Sequence, residues 1–364
     1  MSEKKANILH LQNYLNISCG VSKTIYLIAK NTSSLFNLYV ACFGGDGFSR
    51  FDSINIKPVV LKDHKNSILG FIKHLIKLFI YCKQNRINII HSHHRYFDLL
   101  AFFISHILKI KTITSVQSKV YNYKLLSYKA DILIACSKSI KTHLINEFNV
   151  DEKRINVIYN MVDPKEFALT KTKTELLNFL DIPSNKFVIG YFGRLNFEEK
   201  GIDVLLEAFL NISKLHKDLF LLLIGNGKDE YIINEFITQN KLRSRVINSR
   251  KDIFNYFQLL DLFVLPSRKD PFPLVMLEAG LMKKSLIGSN VDGISELIEH
   301  EKDGLLFESA NSIDLQNKIL KIYRDKNYAN QLAENLYSKV LNNYTVNGII
   351  PHYNNLYFKI LNEN

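Results

Sequence analysis

The chain has 364 residues, of which 47% are hydrophobic and 23% charged, and its net charge is +12. This length exceeds what one hydrophobic core usually serves, so two domains are expected, and the composition excludes a disordered chain. The positive charge indicates an anionic partner, but Lys and Arg are spread along the chain without a recognisable nucleic-acid-binding motif, so no nucleic acid is expected.

Short runs rich in Val, Ile, Leu and Phe alternate with longer helical patterns along the chain. In the first half they are residues 6–11, 37–43, 57–61, 87–92, 111–116, 130–137 and 154–159. In the second half they are residues 186–193, 219–225, 245–248, 261–267 and 285–289. Continuous apolar runs between helices are typical of strands buried on both faces. The expected fold class is therefore α/β, with two Rossmann-like doubly wound domains built on parallel sheets.

The boundary between the two domains is expected in residues 160–167, where Pro164 breaks the chain after a strand. The N-terminal domain is then residues 1–163 and the C-terminal domain residues 164–344. Because a glycine and a proline interrupt its start, the tail of residues 345–364 is expected to lie apart from the preceding helix and to pack on the first domain.

Residues 67–86 predict a helix that carries basic residues beside many apolar ones and leads into the fourth strand. Two interpretations of its apolar side stay open. Packing on the sheet is favoured, because a helix that feeds a buried strand normally covers that sheet. Contact with an anionic membrane surface is the alternative.

Ligands of open parallel sheets bind at the carboxyl ends of strands, so residues that follow the runs are the candidates. Gly20 precedes the first helix, whose N–H groups suit a phosphate, although a turn explains a single glycine equally well. His91, His93 and His94 follow the fourth strand, and alternation places His94 opposite the other two. No further metal ligand is evident nearby, so His93 is predicted to bind a polar substrate, with a buried hydrogen-bonded histidine as the alternative.

Arg194 and Lys200 flank a short loop after the first strand of the second half, and Gly201 closes that loop. Two fixed cations suit a diphosphate, since Arg grips two oxygens and Lys acts as a point charge. Two solvated charges on a loop are the alternative. After the next strand, Gly225 and Gly227 allow a tight turn and a close approach of the backbone to a ligand.

Asp270 and Glu278 are separated by seven residues in PSRKDPFPLVMLEAG. Asp270 lies in a loop after a strand that ends at Pro266, and Glu278 lies in the apolar helix that follows. Carboxylates accept hydrogen bonds from two hydroxyls at once, so the pair predicts a site for a sugar or a ribose. A helix-terminal acid and a buried, partnered acid would explain either residue alone.

Four segments of the second half occur in the order GYFGRLNFEEKGIDVLLEAF, LLLIGNGKDE, LDLFVLPSRKDPFPLVMLEAG and NVDGISELIEHEKDGLLF. In the first half, CGVSKTIYLIA, IIHSHHRYFDLLA, ADILIACSKSIKTHL and VIYNMVDPKEF stand in order. The four segments of the second half resemble the donor-binding half of the retaining glycosyltransferases of family 4, the group 1 class with the GT-B fold. The four segments of the first half resemble the usual landmarks of the same family. The resemblance covers nearly the whole chain and implies two Rossmann-like domains that face each other across a cleft.

The resemblance implies a role for each candidate residue. Arg194 and Lys200 match the family's basic pair on the donor diphosphate. Asp270 matches an acid that reaches hydroxyls of the transferred sugar, and Glu278 matches one that binds the ribose. His93 matches a histidine near the reacting sugar and the acceptor. The other implied contacts are His94 on the acceptor side and, for the donor, Gly20, Gly193, Gly225 and the backbone N–H groups of Phe272, Leu274 and Val275.

The implied reaction retains the anomeric configuration and needs neither a cofactor nor a metal. Arg194 and Lys200 would stabilise the charge that develops on the leaving diphosphate, so these two residues, His93 and Asp270 are the catalytic candidates. Asp270 stands where the family more often has Glu, and Pro271 and Pro273 stand where glycines are frequent. These departures leave the identity of the sugar open.

The expected function is a metal-independent hexosyltransferase of bacterial surface polysaccharide synthesis, such as capsule or lipopolysaccharide. Its partners are a nucleotide-sugar donor, a glycan or lipid-linked acceptor and an anionic membrane surface. Four widely spaced cysteines predict reduced thiols, and the N-terminus shows no signal peptide, so we expect a cytoplasmic protein, peripheral on the inner face of the membrane. A GT-B nucleotide-sugar epimerase or hydrolase and a non-catalytic nucleotide-sugar-binding assembly protein are the alternatives.

Overall fold

The computed structural model describes residues 5–62, 67–250 and 252–362. The chain divides into two compact units: unit 1 is Met1–Asn160 with Val346–Asn364, and unit 2 is Met161–Thr345. The sequence-based boundaries fall at residues 163 and 344. No disulfide links the four cysteines, all of which lie among the described residues.

Unit 1 is built on a seven-stranded parallel sheet of order β3-β2-β1-β4-β5-β6-β7. Its strands are Asn7–Leu11 (β1), Asn37–Cys42 (β2), Val59–Val60 (β3), Ile89–Ser92 (β4), Lys111–Val116 (β5), Ile132–Ala135 (β6) and Ile155–Val157 (β7). Its helices are Gly20–Thr32 (α1), Phe48–Asp52 (α2), Ile68–Gln84 (α3), Arg95–Leu108 (α4) and Lys138–Phe148 (α5).

Unit 2 is built on a six-stranded parallel sheet of order β10-β9-β8-β11-β12-β13. Its helices are Lys173–Phe179 (α6), Phe197–Lys200 (α7), Ile202–Leu215 (α8), Glu230–Gln239 (α9), Ile253–Phe257 (α10), Leu274–Leu281 (α11), Asp292–Leu297 (α12), Ser312–Arg324 (α13) and Lys326–Asn343 (α14). Its strands are Phe187–Phe192 (β8), Leu219–Ile224 (β9), Ser244–Ile247 (β10), Leu262–Leu265 (β11), Ser285–Ser289 (β12) and Leu305–Phe307 (β13).

The prediction of two parallel α/β sheets is confirmed. Each of the twelve apolar runs contains or overlaps an observed strand, and strands such as LFLLLI of β9 are buried at every position. The strand that the sequence did not predict is the three-residue β13, Leu305–Phe307. It pairs with β12 and closes that edge of the sheet.

Both sheets have a switch point, where the strand order reverses direction along the sheet. In unit 1 it lies between β1 and β4, which pair in the register Ile8 to Ile89 and His10 to His91. In unit 2 it lies between β8 and β11. Ligands of doubly wound sheets bind at the carboxyl ends of the strands beside such points. These two strand ends are therefore where the fold places candidate sites.

The C-terminal tail forms one helix, Val346–Asn362 (α15), which belongs to unit 1. Tyr357 packs edge-on against Phe36, with ring centroids 5.4 Å apart, and Phe358 contacts the same ring at 4.9 Å. Pro351 lies in the second turn of this helix without ending it. Among the described residues, no helix is both long and apolar enough to cross a bilayer.

Candidate functional site

The ends of β8 and β9 in unit 2 approach each other closely. The Gly193 N–H donates to the Ile224 carbonyl at 2.9 Å, and a Cβ on Gly225 would lie 1.7 Å from the Gly193 carbonyl oxygen. The Tyr191 hydroxyl donates to the Arg194 carbonyl at 2.7 Å. Gly225 is thus required by the packing of the two strand ends, and this packing fixes the backbone of Arg194.

Lys200 ends the short helix α7, which starts with the Asn196 side chain accepting from the Glu199 N–H at 3.0 Å. Gly201 follows with φ +59°, and a Cβ there would lie 2.1 Å from the Pro266 carbonyl oxygen. Both the left-handed backbone and this contact demand glycine. The close approach brings Lys200 against the loop that follows β11.

Lys200 and Asp270 form an ion pair, although 70 positions separate them in the chain. Only 15% of the lysine side chain and 8% of the aspartate side chain are exposed. The Ser267 hydroxyl also donates to the Asp270 carboxylate, at 3.3 Å, and the Asp270 N–H donates to the Asp292 carboxylate at 3.1 Å. The sequence singled out both residues separately, and the structure brings them together at the switch point of unit 2.

Arg194 has a different environment from Lys200. Its guanidinium pairs with Glu199 at 2.7 Å, but 66% of the arginine side chain and 43% of the glutamate side chain are exposed. Exposed ion pairs contribute little to stability, so an anionic ligand can replace Glu199 at small cost. Arg194 is therefore an exchangeable cation and Lys200 a fixed one.

Arg268 connects the acid-bearing loop to α8, and sequence reasoning missed it. Its guanidinium donates to both carboxylate oxygens of Asp203, at 2.7 and 2.6 Å, and its backbone N–H donates to the Glu199 carbonyl at 2.8 Å. This bidentate pair positions the loop that carries Asp270. Arg268 stands two residues before Asp270, but its partner lies 65 positions away, so no local pattern reveals the pair.

Glu278 lies in α11, the helix that directly follows the loop of Asp270, and it is buried. Pro273 is the N-cap of this helix, and Leu274 and Val275 form its first turn, where N–H groups lack acceptors within the helix. Phe272 is buried beside the Tyr344 ring, with centroids 5.6 Å apart. The stretch thus places a helix N-terminus and two buried carboxylates after β11.

Three buried histidines meet at the switch point of unit 1. His10 lies opposite His91 in the sheet, and its Nδ1 is 3.0 Å from the Nε2 of His93. The rings of His91 and His93 stack with centroids 4.2 Å apart, as their alternation predicts. His91 bonds through Nδ1 to the Tyr357 hydroxyl and through Nε2 to the Ser115 hydroxyl, both at 2.8 Å.

Burial keeps these imidazoles uncharged. It lowers the pKa of His10 to about 3. The pKa values of His91 and His93 are also well below the ordinary value, first because of burial and then because neighbouring histidines would repel a second charge. His94 differs, because it is exposed and its Nδ1 caps α4 by accepting from the Tyr96 N–H at 3.1 Å.

His10, His91 and His93 also form a group that could hold a metal ion, with ligand atoms all within 4.8 Å of one another. The sequence shows no further metal ligand close to His91 and His93 in the chain. His10 is distant in the chain, but the pairing of β1 with β4 brings it beside them. A metal bound by all three would have to displace Tyr357 or Ser115 from His91. The expectation of a metal-free site stays a prediction.

Unpartnered polar atoms concentrate at the same strand ends. Of nine buried side-chain atoms without a hydrogen-bond partner among the described residues, five are His10 Nε2, Gln12 Oε1, Asn13 Oδ1, Ser92 Oγ and His93 Nδ1. Buried polar groups usually have partners, so this cluster suits a polar ligand or ordered water. Gln12 and Asn13 follow β1 directly, where the strand-end rule could have found them.

Gly20 is the first residue of α1, in the connection that follows β1. The N-cap residue Cys19 makes no side-chain capping bond, and Gly20 is exposed. The helix therefore starts at the surface of unit 1 without a side-chain cap. This geometry is compatible with the phosphate contact predicted for Gly20, whose role stays a prediction.

Two protein-family models match the chain. "Glycosyltransferase Family 4" matches residues 19–166, and "Glycosyl transferases group 1" matches residues 172–339. The first model spans most of the sheet of unit 1, and the second spans the whole sheet of unit 2. Together they leave only the two ends and a short connection unmatched.

Several characterised or named proteins are similar in sequence. The capsular polysaccharide biosynthesis glycosyltransferase CapM of Staphylococcus aureus is 24% identical over 94% of this chain and 96% of that protein. The UDP-Gal:alpha-D-GlcNAc-diphosphoundecaprenol alpha-1,3-galactosyltransferase of Escherichia coli is 27% identical over 81% of each chain. The uncharacterized glycosyltransferase MJ1607 of Methanocaldococcus jannaschii is 26% identical, but the match spans only 64% of this chain and 61% of that protein.

Solved structures share the fold over the full length. The glycosyltransferase of Rickettsia africae has a TM-score of 0.88 and 22% identity, and the match covers 99% of this chain and 100% of that one. Anabaena HepE in complex with UDP-glucose has a TM-score of 0.84 and 20% identity, with 97% and 99% covered. These likenesses show that the two parallel-sheet units have the GT-B fold.

Proposed function

We propose the donor, the acceptor class and the stereochemistry of the reaction for this chain, which belongs to the group 1 glycosyltransferases of family 4. In this proposal it transfers a hexose from a UDP-sugar to a lipid-linked glycan, with retention of configuration, during synthesis of a bacterial surface polysaccharide. The names of the Escherichia coli and Staphylococcus aureus relatives support the acceptor class and the pathway class.

The observation that carries the proposal is the buried pair of Lys200 and Asp270 at the switch point of unit 2. A diphosphate beside this pair would bind Lys200 as the fixed cation and Arg194 as the exchangeable one. Negative charge grows on the diphosphate as the glycosyl bond breaks, and cations held in place stabilise that charge without reorganisation. This stabilisation is what makes the diphosphate a good leaving group.

The two acids act as binding groups in this mechanism. Asp270 accepts hydrogen bonds from hydroxyls of the transferred sugar, and Glu278 accepts them from the ribose. Glycosidases use paired carboxylates as acid and base, but here the departing diphosphate is already a stable anion. Neither carboxylate therefore has to donate or accept a proton in the reaction.

Retention follows if the acceptor hydroxyl approaches on the side that the diphosphate leaves. The bond from the anomeric carbon to the diphosphate oxygen breaks, and the bond to the acceptor oxygen forms. The acceptor proton passes to the departing diphosphate, so no protein base is required. Because Arg194 and Lys200 supply the positive charge, we propose that the reaction needs no metal ion.

Unit 1 supplies the acceptor-side contacts in this proposal. His93 is neutral and offers a buried Nδ1 without a partner, so it can hydrogen-bond a hydroxyl but is not a cation at pH 7. Gln12 and Asn13 add two amide groups at the same edge. In this proposal the enzyme acts in the cytoplasm, with its lipid-linked acceptor at the inner face of the membrane.

A thermal-shift panel of UDP-, GDP-, ADP- and CMP-sugars tests the donor. A ligand at about a hundred times its dissociation constant stabilises the folded state by about 2.7 kcal/mol, so only a UDP-sugar should raise the melting temperature clearly. Pyrophosphate, added so that the concentration of negative charge is the same, is the control for non-specific anion binding. A shift with GDP-sugars alone would refute the UDP assignment, and no shift with any nucleotide sugar would refute the function.

A further inference from the structure

The helix α3 exposes a row of large apolar side chains. Ile68, Ile72, Ile76 and Ile80 recur every fourth residue and so lie along one side of the helix, and all four are exposed, with Ile68 at 82%. Leu69 lies beside this row and is also exposed. The opposite side packs on the sheet, so the prediction of core packing is right for that side alone.

The apolar row continues onto α4. Phe71 of α3 packs edge-on against Phe103 of α4, with ring centroids 6.1 Å apart. Phe103 is itself exposed, and so is Ile107 one turn further along α4. The two helices thus share an exposed apolar surface, which we call the α3–α4 face. Single exposed apolar residues are normal, but a contiguous group marks an interaction site.

The segment of the chain that contains this face has a large excess of basic over acidic residues. Residues 67–130 contain eight Lys and two Arg against a single acid, Asp98, so they account for nine of the twelve net positive charges. Asp98 is buried, where it accepts hydrogen bonds from Thr114 and from the backbone of Lys129. The basic residues of the chain are spread out, but the acids that would neutralise them are absent here.

We propose that the α3–α4 face docks on the surface of an anionic lipid bilayer, with Ile72, Ile76 and Ile80 inserted among the acyl chains and Lys73 and Lys77 near the headgroups. The inference rests on the proposed function, because a lipid-linked acceptor requires the enzyme to reach a membrane. A helix with an apolar side edged by lysines binds in this way.

Charge and shape both favour the bilayer over other partners. A nucleic acid would use the lysines but has no place for exposed isoleucines. A second copy of the chain, packed symmetrically through the same face, would bring two strongly basic surfaces together. An anionic bilayer satisfies the isoleucines and the lysines together.

Docking would bring the lipid close to the acceptor-side residues. Helix α4 starts two residues after His93, and His94 caps it. Arg95 in its first turn donates to the Asn122 carbonyl at 2.8 Å, which holds the following loop beside α4. That loop exposes Leu125 and Tyr123 as well. The strand end that carries the histidines thus adjoins elements that would meet the membrane.

Sedimentation with sucrose-loaded vesicles tests the proposal on the full chain. Vesicles of equal parts phosphatidylglycerol and phosphatidylcholine should bind the protein at 50 mM NaCl, and phosphatidylcholine alone should bind it much more weakly. Ile72→Ser/Ile76→Ser/Ile80→Ser should lower the partition coefficient at least about tenfold. Lys73→Gln/Lys77→Gln should lower it roughly 25-fold, since each basic residue near the surface contributes about fivefold.

A matched triple variant in unit 2 serves as the control. Leu215→Ser/Ile232→Ser/Ile313→Ser removes three exposed apolar residues from other helices and should bind vesicles like the unmodified chain. Equal binding by both triple variants would overturn the proposal. So would a dimer in solution that the Ile72 triple variant dissociates, or lysine-dependent binding to DNA that exceeds binding to the vesicles.

The thermal shift with a UDP-sugar separates failure of the docking proposal from failure of the function. The isoleucine and lysine variants should keep that shift, because their residues lie in unit 1 and on its exposed face. A protein that binds the donor but not the vesicles would overturn the docking surface alone. A protein that binds the vesicles but no donor would overturn the proposed function and leave the surface standing.

Discussion

The two switch points of the molecule present opposite chemistry at equivalent places in the fold. In unit 2 the strand ends carry charge, with Lys200 paired to Asp270 and Arg268 paired to Asp203. In unit 1 they carry the neutral imidazoles of His10, His91 and His93. We propose that two sheets of the same kind serve an anionic ligand in unit 2 and a neutral polar ligand in unit 1, because different residues stand at the ends of their strands and in the loops that follow.

The two arrangements also store free energy differently. A buried ion pair is costly to desolvate, but removing one partner costs more, because the other charge is left uncompensated. Buried neutral histidines cost little at pH 7 and become unfavourable only when protons are added. The site in unit 2 should thus respond most to mutation, and the site in unit 1 to pH.

The largest effect is expected from Lys200→Ala. Loss of a fixed cation at the diphosphate should lower transfer by about 10²- to 10³-fold. Asp270 would be left as a buried unpaired carboxylate, which should lower the free energy of unfolding of unit 2 by about 3 kcal/mol. The rate of transfer is measured as the release of the nucleotide, and the free energy of unfolding is measured by denaturant unfolding.

The double variant Lys200→Ala/Asp270→Ala separates these two effects. Most of the lost stability should return, because no charge remains buried, while transfer should stay low. Recovery of transfer in the double variant would show that Lys200 serves only to neutralise Asp270.

Arg194→Ala should affect stability very little, since its pair with Glu199 is exposed.

A smaller effect is expected from Glu278→Gln. The amide keeps the shape of the carboxylate but loses the charge-assisted hydrogen bonds to the ribose, so donor affinity should fall about 10- to 100-fold. Glu207→Gln on α8 is the matched control, because this glutamate is exposed. Isothermal titration with a UDP-sugar measures the donor affinity of both variants. Equal affinities of Glu278→Gln and Glu207→Gln would show that Glu278 is not part of the donor site.

The pH dependence of unit 1 should be smaller still. A histidine whose pKa falls from about 6.5 in the unfolded chain to about 3 in the fold binds fewer protons when folded. Its contribution to stability is complete above pH 6.5. As the pH falls from about 6.5 towards about 3, this contribution declines by about 1.4 kcal/mol per pH unit. Between pH 6.5 and 5 the unmodified chain should therefore lose about 2 kcal/mol more than His10→Gln, as measured by urea unfolding. Parallel curves for the two proteins would mean that His10 binds its proton at the same pH in the folded and in the unfolded chain.

Removal of metal ions should have the smallest effect. Because Arg194 and Lys200 are proposed to supply the charge on the diphosphate, dialysis against EDTA should change transfer less than about twofold. The three histidines of unit 1 give this test a specific alternative. A loss of transfer that Zn²⁺ restores in the unmodified chain, but not in His10→Gln, would identify a metal at those histidines.

The sequence predicted the strands well because a buried strand needs an apolar side chain at almost every position. Lys200 and Asp270 were recognisable because each lies in the connection that follows a strand, β8 or β11, and ligands of open parallel sheets bind at such strand ends. Their direct contact was not predictable, because it depends on Gly201 meeting the Pro266 carbonyl across two strands. Only the packing of β8 beside β11 shows that contact.

Other parts of the sites depend on pairings that no local pattern contains. The bond of Arg268 to Asp203 joins positions 65 residues apart, and that of His91 to Tyr357 joins positions 266 apart. His10 was missed because it lies inside a strand, where a single histidine among apolar residues indicates no ligand. The sequence of α3 likewise gave its apolar residues but not the side of the helix that the sheet covers.

Titration of UDP into the unmodified chain, Lys200→Ala and His93→Ala tests the central comparison most directly. UDP contains the diphosphate but no sugar and no acceptor, so its affinity should fall at least about tenfold in Lys200→Ala and change less than about twofold in His93→Ala. The opposite pattern, or an unchanged affinity in Lys200→Ala, would show that the charged strand ends of unit 2 do not hold the diphosphate.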